Sequence, residues 1–461
     1  MSNVSLRLPR NLVARLVVVF VAWKAALLLL AAFAPGPGYD TSGLILSSDS
    51  THRHADFQSW ALPSRLMLKL LRWDALYFVK AAQRGYHYEQ EWAFSWANSR
   101  ILHVAGQCLG RYSTLLPLHH YVWAGIAVSH LCHLISVLIL FRLLNVIMGH
   151  QQHSPIPFIA SILHILSPAA LFLSAPYTEA LFSMANFAGM LHYALARSTA
   201  RASKTWSIYQ DAYMLSSGAL FGFATLIRSN GLLSGLIFLY DAASLIPRIW
   251  SMQISRHEAR RLLVTCFAGL LIAVGFVAPQ YLAYEQYCVT GSPSPHLRPW
   301  CHKSIPSVYS WVQSNYWNVG FLRYWTLPNL PLFLVAAPML WLLFESSVTV
   351  LRYPTSHLHI PRTIPAADTQ DLDTELCILP QLALPQLVLA IAAVTNFHVQ
   401  IINRLSSGYP IWYFVIAQRM VKSHAIQNDG KKERLLQWTV RGMIMYAMIQ
   451  GMLFANFLPP A

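Results

Sequence analysis

Apolar runs long enough to cross a bilayer recur along the whole of this chain. A hydrocarbon core about 30 Å thick needs about 20 residues of helix. Runs of that order lie near 12–34, 117–147, 156–175, 177–196, 212–228, 231–248, 262–284, 330–351, 379–396, 409–421 and 436–457. The pair 212–228 and 231–248 is separated only by Ser229 and Asn230, too few residues for an ordinary turn outside the membrane. The run 409–421 suits a half-helix or a re-entrant segment. The expected fold is therefore an all-α polytopic membrane protein, one integral membrane domain over 1–461, with about 8–11 transmembrane helices. Composition agrees. Charged residues make up 11% of the chain, against about a quarter in soluble domains. So little charge cannot cover a water-facing surface of this size.

The net charge is +15. Nucleic-acid binding is not expected, because the basic residues form no dense patch. They fall in short clusters between apolar runs, as orienting charges do. With a cytosolic N-terminus, three clusters share the cytosolic side: Arg197, Arg201 and Lys204; Arg248, Arg256, Arg260 and Arg261; Lys422, Lys431, Lys432 and Arg434. The long segments 35–116 and 285–329 then fall on the lumenal or external side, and 352–378 is a cytosolic loop. The first run follows Arg7, Arg10 and Arg15 and exceeds a signal-peptide core, so it reads as an uncleaved span. None of the six cysteines forms a CxxC. Cys288 and Cys301 can pair if their loop faces an oxidising lumen, and two free thiols fit equally well. The sequon at Asn3-Val4-Ser5 falls on the cytosolic side and is expected to stay unused.

The two long segments are rich in aromatics. Residues 57–83 carry apolar residues near helical spacing with basic residues between, which predicts an amphipathic helix lying at the interface. Residues 307–327 are dense in Trp and Tyr and suit the headgroup level.

Carboxylates are scarce here, so each one near a membrane segment is informative. Asp74, in Arg72-Trp73-Asp74-Ala75, can act as a general base in a lipid-shielded pocket; pairing with Arg72, Lys80 or Arg84 on a solvated face is the plainer alternative. Glu89 and Glu91 share a face only in an extended segment. Glu179 follows Tyr177 and Thr178 at a break between two runs, where it either faces a cavity or supports a helix N-terminus. Arg228-Ser229-Asn230 interrupts two apolar runs, and an Arg there needs an anionic partner. Arg323 and Arg404 stand among Tyr316, Trp317, Asn318 and Asn403, each suited to bind phosphate or to snorkel. The histidine clusters at 119–120, 130–133 and 150–153 lack zinc spacing. No Walker A or GxGxxG sequence is present, so neither ATP-driven pumping nor dinucleotide chemistry is expected.

These residues occur in blocks that resemble the GPI mannosyltransferase 2 family. RWDALYF at 72–78, GYHYEQEWAF at 85–94, SPAALFLSAPYTEALFS at 167–183, RSNGLL at 228–233, PSVYSWVQSNYWNVGFLRYWTLPNLP at 306–331 and QIINRLSSGYPIWYF at 400–414 run in the family's order. The stretches 42–60 and 352–378 match nothing, and Ser95-Trp96 stands where a Pro is expected nearby. The resemblance implies a GT-C type glycosyltransferase of the endoplasmic reticulum membrane with a lumenal active site. It implies dolichyl phosphate mannose as donor, and transfer of the second mannose, α1,6-linked, to the mannosyl-glucosaminyl-phosphatidylinositol precursor. No cofactor or metal is expected, and a small accessory membrane subunit is implied by the fungal members. Asp74 is the chosen base, with Glu89, Glu91 and Glu179 next. Arg323 or Arg404 would hold the leaving phosphate. Trp73, Tyr88, Tyr316 and Trp317 would stack on sugar faces or pack lipid chains. Arg72, Tyr177, Arg228, Asn230, Asn318 and Asn403 complete the substrate-binding candidates. The rival readings are another dolichyl-phosphate-mannose-dependent step, a degenerate subunit, or a transporter, which predicts broken helices in symmetric halves. A glycosylation sequon engineered near residue 45 is expected to be used, read as a mass shift removed by endoglycosidase; an unmodified chain overturns the topology.

Overall fold

A computed structural model describes residues 10–35, 62–111, 117–149, 154–202, 206–290, 298–353, 378–425 and 430–458. The Asn3 sequon, Cys377, the 42–60 stretch and nearly all of 352–378 lie outside the described residues. Every regular element among the described residues is helical. Four helical stretches are long and apolar enough to cross a membrane: Asn11–Phe33, Leu118–Ile147, Arg256–Val289 and Leu327–Arg352. We number the helices used below α1 (Arg10–Phe33), α2 (Leu62–Leu70), α3 (Ala75–Arg84), α4 (Trp96–Gly110), α5 (Pro117–Met148), α6 (Ile156–Ile165), α7 (Glu179–Ala202), α8 (Ile208–Ile227), α9 (Gly235–Ala243), α10 (Arg256–Tyr284), α11 (Val308–Asn315), α12 (Leu330–Arg352), α13 (Leu379–Thr395), α14 (Ile411–Ala425) and α15 (Gly430–Ala455).

Each apolar run of the sequence contains a helix, but three expected elements are broken. The run 156–175 is not one helix. It stops at Ile165, because Ser167-Pro168 disfavours further α conformation, and resumes as a 3₁₀ turn over Ala170–Leu173. The runs 212–228 and 231–248 are not two full spans. The first ends at Arg228, which is extended, and a 3₁₀ turn over Ser229–Ser234 folds back on it. A side chain on Gly231 would meet the Thr225 amide at 2.6 Å, so only glycine lets that turn close. The amphipathic helix expected over 57–83 is two helices, α2 and α3, separated at residues 71–74. Trp73 there takes a left-handed φ of 52°. These helices do not simply lie on the interface either, since Met67, Leu68, Leu70, Leu71 and Arg72 are fully or almost fully buried.

The breaks are held by the helices around them. In the middle of α1, Lys24 donates to Leu173 O and Ser174 Oγ, both at 2.8 Å, and so ties down the 170–174 turn. The segments around 86–96 and 283–312 pack on each other through Trp92, Tyr287, Trp300, Val308 and Val312, and Cys288 is disulfide-bonded to Cys301. Ser95, where a proline was expected nearby, caps α4: its Oγ accepts from Asn98 N at 3.0 Å and donates to Leu226 O at 3.2 Å. At the other end of the bundle Asp241 accepts from Tyr193, Arg197 and Arg261, while Arg260 pairs with Asp211 and Arg419 with Glu345. Two of the basic clusters noted in the sequence thus share one end.

Helices α8 and α10 cross with backbones nearly touching. A side chain at Gly218 or Gly222 would lie 2.5 Å from Ala268 O or Leu271 O, and one at Gly275 would strike Gly222. Small residues let helices approach this closely in lipid. Gly222→Val is expected to cost about 1–3 kcal/mol or more and to lower the thermal midpoint in detergent. Gly269→Val, on the partner helix α10 but facing open space, is expected to leave it unchanged. Equal midpoints would refute the crossing.

Candidate active site

The three breaks converge at one end of the bundle, and each delivers a charged side chain. The left-handed turn at Trp73, its indole stacked on Phe457 at 4.3 Å, sets Asp74 at the N-cap of α3. The Asp74 carboxylate makes no capping hydrogen bond. It accepts instead from Arg404 Nη2 at 3.1 Å. Arg72 on the other side of the turn is buried, and its carbonyl accepts from the Tyr177 hydroxyl at 3.1 Å. Neither Arg72, Lys80 nor Arg84 is the ion-pair partner of Asp74.

Glu179 is the first residue of α7, where the positive end of the helix favours a carboxylate. Its Oε1 accepts from Arg228 Nη1 at 2.8 Å and lies 3.4 Å from Arg404 Nε. The side chain is 1% exposed, and Oε2 has no hydrogen-bond partner. Arg228, on the extended residue that ends α8, also donates to Thr178 Oγ1 at 2.7 Å and to Asn230 Oδ1 at 3.3 Å. Asn230 Nδ2 donates in turn to the Tyr409 hydroxyl at 3.0 Å, which donates to Asn230 O. Arg404, in a helical turn over Ile402–Leu405, covers the rings of Phe172 and Tyr177 at 4.9 and 5.5 Å.

The result is an alternating chain, Asp74–Arg404–Glu179–Arg228, with no net formal charge. Buried charges persist when paired in this way. Exposure separates the two carboxylates. The Asp74 side chain is 37% exposed, whereas Glu179 is sealed. Asp74 is open to an incoming hydroxyl. The free oxygen of Glu179 is an unmet acceptor at the same place, and a buried acceptor of this kind invites a donor.

The other sequence candidates fall elsewhere. Glu91 is buried and saturated: it pairs with Arg84 and accepts the backbone N–H groups of His87 and Tyr88 at 2.8 and 3.1 Å. That is helix capping rather than a group free to take a proton. Glu89 lies 3.1 Å from Arg298 Nε. Tyr88 is exposed, beneath the Arg84 guanidinium at 5.3 Å. Tyr316 is exposed, and Asn318 adopts a φ of 50° that asparagine tolerates. Trp317 abuts Phe94, which stacks on Tyr77 at 4.4 Å, so aromatic contact runs from that segment back to α3. Burial first, and then the carboxylates of Asp74 and Glu91, hold the Tyr77 hydroxyl above its usual range, and it accepts from Gln90 Nε2 at 3.1 Å. Arg323 is exposed on the same segment, apart from the four-charge chain. Asn403 Nδ2 donates to the Tyr446 hydroxyl at 2.8 Å. Thr178, Phe172 and Tyr409 were not singled out in the sequence, although each lies in a block that carries a chosen residue.

This fold and site define a multi-pass membrane enzyme with a reachable carboxylate, backed by paired guanidinium groups, at one end of a helical bundle. The family model for mannosyltransferase (PIG-V) matches residues 13–461. The GPI mannosyltransferase 2 of Aspergillus oryzae is 41% identical, with 98% of this chain and 97% of that protein covered. That of Aspergillus fumigatus is 39% identical, with 98% and 94% covered. Among solved structures, the apo oligosaccharyltransferase of Archaeoglobus fulgidus aligns with a TM-score of 0.46 at 12% identity, over 96% of this chain and 56% of that longer one. The chain belongs to the mannosyltransferase (PIG-V) family and is a glycosyltransferase.

Removing Glu179 strands two buried guanidinium groups. Glu179→Leu is expected to cost about 3–5 kcal/mol, whereas Asp74→Asn, at a half-open site, is expected to change stability by less than about 1 kcal/mol. Thermal unfolding of the purified variants checks both. A stable Glu179→Leu protein would remove Glu179 from the centre of the network.

Proposed function

We propose that this chain transfers the second mannose of the GPI anchor, in an α1,6 link, from dolichyl phosphate mannose to the mannosyl-glucosaminyl-phosphatidylinositol precursor, as a GT-C type enzyme. The observation that carries the reading is the Asp74–Arg404 contact: a carboxylate unspent in capping, open to substrate, with a guanidinium on it. Both substrates are lipids, so a site at the end of a membrane bundle admits them sideways from the bilayer. The acceptor hydroxyl attacks the anomeric carbon of the donor while its proton passes to Asp74. The bond from that carbon to the phosphate oxygen breaks, and the electron pair stays on dolichyl phosphate. A single displacement converts the β-linked donor into an α-linked product.

The charges follow this step closely. Before transfer one negative charge sits on Asp74 and one on the phosphodiester. Afterwards Asp74 is neutral and the leaving phosphate carries both. Arg404 touches Asp74 and is anchored by Glu179, so it is placed to follow the charge as it moves, the role in which preorganised donors contribute most.

The endoplasmic reticulum lumen is the proposed location of the site. The Cys288–Cys301 disulfide supports it, because both cysteines pack against the cluster of Tyr86 and Trp92 and disulfides persist in oxidising compartments.

The test is mannose transfer in microsomes with radiolabelled dolichyl phosphate mannose and the one-mannose precursor. Wild type is expected to make the two-mannose lipid. Asp74→Asn, at equal expression, is expected to lose about 100- to 10,000-fold. Full activity of the variant moves the base elsewhere, and no product from wild type supplied with its accessory subunit refutes the assignment.

A further inference from the structure

Helix α3 has Asp74 at one end and a basic pocket at the other. At its C-terminus Gly85 turns the chain at a φ of 83° and its N–H closes on Ala81 O at 3.0 Å. A cavity of about 350 Å³ opens there, with Gln83, Arg84, Gly85, Ser99, Arg100 and His103 in its walls. A side chain on Gly85 would meet nothing within 4 Å, so the mouth is clear. His103 is held in the wall by its neighbours: its Nδ1 lies 2.6 Å from Ala82 O and its Nε2 lies 2.9 Å from Gln107 Nε2. Arg84 and Arg100 are the charged groups. The carboxylate near them, Glu91, is already saturated by Arg84 and two backbone amides. Arg100 is exposed, lies over the Trp96 ring at 5.6 Å, and has no acidic partner among the described residues. The pocket is built for an oxyanion.

Two neighbouring features narrow the ligand. Ala81 O and Ala82 O are taken by Gly85 N–H and His103, and the carbonyls of Gln83 and Arg84, which the helix end leaves without an intrahelical partner, suit hydroxyl groups. On the far side of Arg100, an apolar groove is lined by Ile101, Val104 and Ala105 on the outer face of α4, and Val104 is 61% exposed. Hydroxyl acceptors, a cation and an apolar groove in that order match a polyhydroxylated ring, a phosphate and an acyl chain. The ten residues of α3 hold the pocket about 15 Å from Asp74, a distance that a short glycan spans.

We propose that this pocket is the anchor for the acceptor's own phosphodiester: Arg100, assisted by Arg84, holds the phosphate of a glycosylated inositol phospholipid whose outermost sugar reaches Asp74. This rests on the acceptor proposed above. The test is initial-rate kinetics of the full-length enzyme in vesicles, with two acceptors, the complete glycophospholipid and the same glycan ending at inositol without phosphate. Arg100→Gln is expected to raise KM for the phospholipid about tenfold, with kcat and the donor KM unchanged. Arg100→Glu should raise it further. With the phosphate-free acceptor, variant and wild type should be equal. An unmoved KM, or an equal loss with both acceptors, overturns the anchor while leaving the transferase reading intact. A loss of response to anionic vesicle lipid, with acceptor KM unmoved, assigns Arg100 to bulk lipid and overturns it too. Wild type that uses neither acceptor removes both readings together.

Discussion

Glu179 carries the structure at its functional end. One sealed carboxylate holds two guanidinium groups that arrive from segments far apart in the chain. Lipid offers such groups no alternative partner, and an unpaired charge there is costly. The three breaks and the short turn at 402–405 therefore have to end in one place. The 166–178 break presents Glu179, the 228–234 turn presents Arg228, and the turn at 402–405 presents Arg404, which in turn receives Asp74. Backbone that leaves the helical path is tolerated at membrane depth only where protein buries it. Lys24 does this for the 170–174 turn and Gly231 for the turn after α8. Helix breaks are the price of delivering polar groups sideways out of an apolar bundle.

The same arrangement separates holding from reacting. Glu179 is enclosed and doubly paired, so its chemistry is spent on assembly. Asp74 shares only Arg404 and stays open. Glu91 shows the contrast within a single loop: it is as acidic in sequence as Asp74, yet it is consumed by Arg84 and two backbone amides. Broken helices are also what a transporter would display. Here the charges that the breaks deliver meet at one end of the bundle, beside aromatic surface, and the family is one of mannosyltransferases.

Much of the fold was legible because apolar run length is a one-dimensional property. The runs at 12–34, 117–147, 330–351 and 379–396 match α1, α5, α12 and α13 within a few residues. The failures came where a single residue overrides hydropathy. Pro168 ends α6 inside an apolar run, and left-handed Trp73 divides what periodicity joins into one amphipathic helix. The site was legible residue by residue. Asp74, Glu179, Arg228 and Arg404 each stood out as a charge in an apolar setting. Their pairing was not legible, because Asp74 and Arg404 lie 330 positions apart and local spacing pointed to Arg72, Lys80 or Arg84. Tyr409 and Thr178 were missed because uncharged polar residues carry no signal of their own in a membrane sequence.

If the acceptor's phosphate is held and its hydroxyl deprotonated as proposed, helix α3 has a consequence for how many sugars are added. A rod of fixed length between a phosphate anchor and a base works as a gauge. A precursor one sugar short leaves its terminal hydroxyl shy of Asp74, and one sugar long pushes it past. The product, lengthened by its own reaction, no longer fits the gauge that made it. A site built this way adds one residue and stops, and it needs no separate device to count.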